Sequence, residues 1–201
     1  MGQRAQIFVR VPKSYWNEGN PNNKPPRVFV LHNQWLYNEL FVVWTAKFLR
    51  ALKYKIDEAV NSPFKFKLEQ VIWEGDRSLI DEAMNHANYS DLGLMTYTHH
   101  YNDAGADENK ELGKGVDAFI DVWDNNDGYL FVEVTEKGEL QWDILTGDKK
   151  RVDATGYLES YDDSERDAQT LDALQQIAEF KRTNVYVRLE DLRRQVFAQK
   201  V

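Results

Sequence analysis

Asn125-Asn126-Asp127-Gly128 leads into Tyr129-Leu130-Phe131-Val132-Glu133-Val134-Thr135, and after Glu136-Lys137-Gly138-Glu139 the chain resumes as Leu140 to Thr146. Both apolar runs are rich in β-branched and aromatic residues, and turn chemistry stands before the first and between the two, which is the signature of an antiparallel hairpin. Upstream, Leu36, Leu40, Trp44, Phe48, Leu52, Ile56 and Val60 recur every four residues from about Gln34 to Val60, the spacing of one long amphipathic helix. Asn33 suits its N-cap, and Asn61-Ser62-Pro63 stops it. Hairpin strands beside such a helix predict an α+β fold.

The flanking elements follow the same rules. Gln6 to Val11 reads as a first strand ending at Pro12, and Arg27 to His32 as a second strand paired with it. Between them, residues 12–26 collect four prolines with Asn and Gly, a long loop. Phe64 to Trp73 reads as a strand, Ser78 to Ala87 as a short helix and Leu92 to Thr96 as a strand; residues 98–115 read as a second long loop, and Val116 to Trp123 as strand or helix. A weaker strand is expected over Arg151 to Glu159, a helix over Asp162 to Lys181, a strand over Asn184 to Leu189 and a final helix over Glu190 to Gln199. The expectation is one domain over 1–201: a mixed, largely antiparallel sheet with the long helix and two to three shorter ones packed on it.

The 201 residues contain no Cys, which excludes disulfides, thiolate metal sites and Cys nucleophiles. No apolar run reaches the roughly 18 residues that cross a bilayer, and the first residues lack a secretory signal, so a cytoplasmic protein without a membrane partner is expected. Charge is uneven. The net of −8 combines basic ends with a middle, residues 76–179, that holds 25 Asp/Glu against 8 Lys/Arg. Such a middle either is neutralised by the ends in the folded chain or is displayed, where it repels nucleic acid and attracts basic proteins.

Three constellations invite a chemical reading. Asp121 with Glu133 could converge across a sheet on Mg²⁺ or another divalent metal and activate water, with His99 or His100 assisting; that defines a hydrolase of phosphodiesters or nucleotides. Thr135 stands where a Glu-x-Lys nuclease element would have its lysine, and Trp123 stands at the first position of a calcium loop whose sixth is Gly128, where an acid is needed. Phosphate-cradling glycine loops and a nucleophile elbow are missing. Tyr15 and Trp16, in the first loop, are candidate interface anchors. Asp162, Asp163, Glu165 and Asp167 form an acidic run; near a helix N-terminus the dipole accounts for such acids, and on display they form a binding patch.

The opening Met1-Gly2-Gln3-Arg4-Ala5, with a second strand ending in His32 and Trp35 close behind it before the long helix, resembles uncharacterised small phage and prophage proteins. The resemblance covers the first quarter of the chain. It implies a bacterial host cytosol as the compartment and supplies no catalytic residue. Together these readings favour an acidic binding protein without catalysis or cofactor, an accessory or anti-defence factor acting on a basic surface of a host protein. A metal-dependent hydrolase and a homo-oligomeric virion component are the alternatives.

Overall fold

The computed structural model describes residues 4–11, 27–34, 36–61, 101–102, 126–161 and 166–189. The elements expected between 62 and 100, over 116–123 and over 190–199 lie outside them. Within them run β1 (Arg4–Val11), β2 (Arg27–Gln34), α1 (Asn38–Asn61), β3 (Tyr101–Asn102), β4 (Asn126–Val134), β5 (Leu140–Thr146), β6 (Arg151–Val152), α2 (Ala154–Glu159), α3 (Ala168–Ala178) and β7 (Lys181–Arg182). One mixed sheet has the order β3-β2-β1-β4-β5-β6, with β7 also on β5. Pairing is antiparallel except at β1–β4 and β5–β7. The fold class is the α+β one expected from the sequence.

The central hairpin forms where turn chemistry lets it. Thr135 N donates to Glu139 O (2.8 Å), Gly138 N donates to Thr135 O (2.9 Å), and Gly138 takes φ 75°, the left-handed residue of a three-residue loop. The β5–β6 turn repeats this plan. Thr146 N donates to Lys150 O and Lys149 N to Thr146 O, both at 2.9 Å, but the left-handed position is Lys149 at φ 63°. In each turn a threonine Oγ1 accepts a backbone N–H, from Glu139 at Thr135 and from Lys150 at Thr146, both at 3.1 Å.

Side-chain alternation assigns the two faces. Ala5, Ile7 and Val9 of β1, Leu130, Val132 and Val134 of β4, and Leu140, Trp142 and Ile144 of β5 pack with α1, α2 and α3 in one apolar core. From Phe41 to Ala46 every residue of α1 is buried; its exposed positions begin at Arg50, so the stripe seen in the sequence is one-sided only in its C-terminal half. The opposite face carries Gln6, Phe8 and Arg10, then Tyr129, Phe131 and Glu133, then Gln141, Asp143 and Leu145. Phe8 stacks on Phe131 at 4.8 Å, and Tyr186 tilts against Phe131 at 5.2 Å.

Several boundaries differ from the sequence reading. The second strand runs on to Gln34, so Asn33 is a strand residue and α1 starts at Asn38, which has φ 49°. Asn126 to Gly128 belongs to β4 and is no free turn: the register slips so that Asp127 is the extra residue of a bulge, and Tyr161 Oη donates to its carbonyl at 3.1 Å. A Cβ on Gly128 would lie 2.8 Å from the Tyr157 ring, so glycine is required there by close approach. The strand expected over 151–159 stops at Val152, because Asp153 caps α2 by accepting from Gly156 N at 2.7 Å. The helix expected from Asp162 starts at Ala168 behind its cap Asp167, and ends at Ala178. Residues 185–189 are helical, where a strand was expected, and Tyr101–Asn102 is a strand inside the second loop.

A non-glycine residue in the left-handed region costs about 1 kcal/mol. Replacing Lys149 by Gly is therefore expected to raise the unfolding free energy by about that amount, measured by urea denaturation, whereas Gly138→Ala lowers it.

Candidate functional site

The basic chain ends meet the acidic middle on the second sheet face. Register places Arg10, Glu133 and Gln141 side by side on β1, β4 and β5. Arg10 Nη1 donates to Glu133 Oε1 at 2.5 Å, and Arg188 Nε donates to Glu133 Oε2 at 2.8 Å. Arg188 Nη2 also donates to Gln141 Oε1 (2.9 Å) and Thr183 Oγ1 (2.8 Å). One strand row away, Arg151 Nε donates to Asp143 Oδ2 at 2.6 Å and Arg182 Nε stands 3.5 Å from Asp143 Oδ1. Arg151 Nη2 reaches Thr183 O at 3.1 Å, and Trp142 Nε1 reaches Phe180 O at 3.0 Å, so the segment 180–188 is bonded along the length of β5.

Both oxygens of Glu133 are thus engaged by guanidinium groups, the arrangement of an ion-pair hub and not of a carboxylate open to a cation. Among the described residues no group of three or more His, Asp or Glu is placed to hold a metal. Asp121, His99 and His100 lie outside the described residues, as do Tyr15 and Trp16. Asp143 is fully buried, and that burial pushes its carboxyl above the usual aspartate range against the pull of Arg151 and Arg182.

A second group of acids lies on and around α2 and α3. Residues 153–179, which comprise α2, α3 and the segment between them, hold eight Asp/Glu and a single basic residue, Arg166. Asp153, Glu159, Asp167, Asp172 and Glu179 are all exposed; Asp162, Asp163 and Glu165 lie outside the described residues. Two of these acids have a local structural role. Asp153 and Asp167 are N-caps, and the backbone N–H of Thr170 holds the Asp167 carboxyl below the usual range. Asp172 accepts from Gln176 at 2.5 Å, and Glu159 is 4.0 Å from Arg166. Glu179 sits at the C-terminal cap of α3, where the helix dipole disfavours an anion, and the last turn has no basic residue to offset it.

Beside α2 an open cleft of about 570 Å³ runs under the β5–β6 turn, lined by Asp127, Asp148, Lys150, Glu159, Ser160 and Tyr161 among others. Its polar groups are largely engaged: Lys150 Nζ pairs with Asp148 at 2.6 Å, Thr146 also bonds Asp148, and Ser160 Oγ donates to Tyr157 O at 2.6 Å. These bonds hold the Asp148 carboxyl below its ordinary range.

Of the acidic run singled out in the sequence, Asp167 is placed, and it caps a helix. The sequence reading missed Asp172 and Glu179 as members of the same exposed surface, although their spacing of seven sets them on one side of a helix. It also missed Arg10 and Arg188, partners of Glu133 across 123 and 55 residues. Comparison with protein-family models, curated proteins and solved structures returned no match.

Truncating Glu133 removes the carboxylate partner of Arg10, while Arg188 is partly exposed and keeps Gln141 and Thr183. E133A is expected to lose about 1–2 kcal/mol of unfolding free energy, and E133Q, which keeps an acceptor, less. Asp143 titrates in the opposite sense to a surface-paired acid. Its folded pKa lies above the unfolded value, so its stabilising contribution is complete below the unfolded value and vanishes as pH rises through the folded one. The stability difference between wild type and D143N should therefore move in favour of wild type as pH is lowered from 7 toward about 4. Urea titrations of both proteins across that range check it.

Proposed function

We propose that this chain is a non-catalytic acidic binding protein whose α2–α3 surface docks on a basic surface of another protein. The carrying observation is the eight-to-one excess of acids over residues 153–179, with Glu179 kept at a helix C-terminus where the local field opposes it. Among the described residues, the basic side chains from the chain ends that form ion pairs across the sheet do so away from this surface: Arg10, Arg182 and Arg188 turn to Glu133 and Asp143 on the far sheet face. The same field repels phosphate backbones, so nucleic acid is not the ligand; a protein that presents Lys and Arg is. The likeness of the N-terminal residues to small phage proteins makes a bacterial host protein the proposed partner, and an accessory or anti-defence role the proposed setting.

Screening shrinks the Debye length from about 10 Å at 0.1 M salt to about 3 Å at 1 M, so attraction through this surface should collapse over that range. Immobilised wild-type protein is expected to retain host proteins at 0.1 M salt and release them at high salt. D172K/E179K, which reverses two exposed charges and leaves both N-caps intact, should retain at least tenfold less. Retention that is indifferent to both salt and charge reversal overturns the proposal.

A further inference from the structure

Helix α3 has an outer face as well as an acidic margin. Thr170, Ala173 and Ile177 are buried, with Ala173 and Ile177 in the core shared with α1, and Leu174 is half-buried against that core. Turned away from it, Ala168, Leu171, Gln175 and Ala178 are all exposed. Their spacing of three, four and three residues aligns them along one side of the helix. Leu171 is 49% exposed, one of three large hydrophobic residues displayed among the described residues, the others being Tyr54 and Val187. Tyr54 is an amphipathic side chain whose hydroxyl is bonded to Glu58. Leu171 has no polar atom and stands between Asp167 and Asp172, with Glu179 two turns on.

The face therefore offers an apolar contact at Leu171 with the exposed carboxylates of Asp172 and Glu179 on the same helix and its cap. The combination matches one kind of occupant. A helix whose apolar stripe is flanked by Lys and Arg can lay that stripe along Leu171 while its charges reach Asp172 and Glu179. The two alanines near the ends of the stripe let a second helix approach at the 8–10 Å typical of packed helices. Ten residues of rise, roughly 15 Å, give room for about three turns of the partner.

We infer that the outer face of α3 docks a basic amphipathic helix of the partner protein, with Leu171 as its apolar anchor. This rests on the acidic-surface reading and narrows it: the partner segment is helical with an apolar face, and an extended or irregular polycation is a poor fit.

Two dye-labelled synthetic peptides of identical Leu/Lys composition test it by fluorescence anisotropy at 0.1 M and 0.3 M salt. One repeats leucine at helical spacing and the other is scrambled to remove any period. The helical-period peptide is expected to bind wild type about tenfold more tightly than the scrambled one and to keep part of its affinity at the higher salt. L171A should weaken the helical-period peptide about fivefold and leave the scrambled one unchanged. V187A, which trims an exposed apolar residue away from α3, should alter neither. Leu171 is outside the core, so unchanged thermal unfolding of L171A confirms that the loss is one of contact. Equal affinity for the two peptides, or an indifferent L171A, overturns the docking inference while the acidic surface stands. Absence of salt-dependent binding by either peptide overturns the acidic-surface reading itself.

Discussion

The parallel pairing of β1 with β4 is the constraint from which the rest of the molecule follows. It sets Phe8 flat on Phe131 and brings two hairpin systems into one sheet whose central strand, from Ala5 to Val9, has no residue in contact with solvent on either face. A sheet buried on both sides must satisfy every polar side chain it carries internally. Glu133 and Asp143 are such side chains: Arg10 and Arg188, from the two ends of the chain, meet Glu133, while Arg151 and Arg182 meet Asp143. Burying a carboxylate without a partner is far more costly than leaving it in water, so Arg10, Arg151, Arg182 and Arg188 converge on these two acids.

That convergence bears on how the charge asymmetry divides in the folded protein. The alternatives open from composition are neutralisation or display, and the described residues contain both paired and exposed acids. Among the described residues, pairing occurs on the sheet face away from α1, and exposed acids stand on and beside α2 and α3, which pack with α1. Asp153 and Asp167 show that an exposed acid can be fully explained by a helix start. Glu179 is the informative residue because the same helix geometry argues against it.

What was legible in the sequence was whatever repeats locally. The hairpin was readable because residues 129–134 and 140–146 alternate and Gly138 sits where a left-handed residue is needed, and the long helix because its apolar residues return every turn. Residues 185–189 were misread because Val185, Tyr186 and Val187 have high strand propensity; in the fold, Val185 and Leu189 are buried four residues apart, as on one helix side, and burial outweighs propensity. Asn33 looked like a helix cap but is a paired strand residue, and no local pattern marks Asn38 as the true start. The site was less legible still. Glu133 carries no sign in its neighbourhood that arginines 123 and 55 residues away will occupy it, and pairing across such distances is a property of topology alone.

The outer rim of β5 is closed from two directions: β6 covers Ile144 and Leu145 antiparallel, and β7 covers Gln141 and Trp142 parallel. Each of these caps is only two residues long, and together they place Arg151, Lys181 and Arg182 along the boundary. Short, cationic end strands are a poor template for another backbone, so this side of the molecule resists fibril-like growth and runaway stacking between copies.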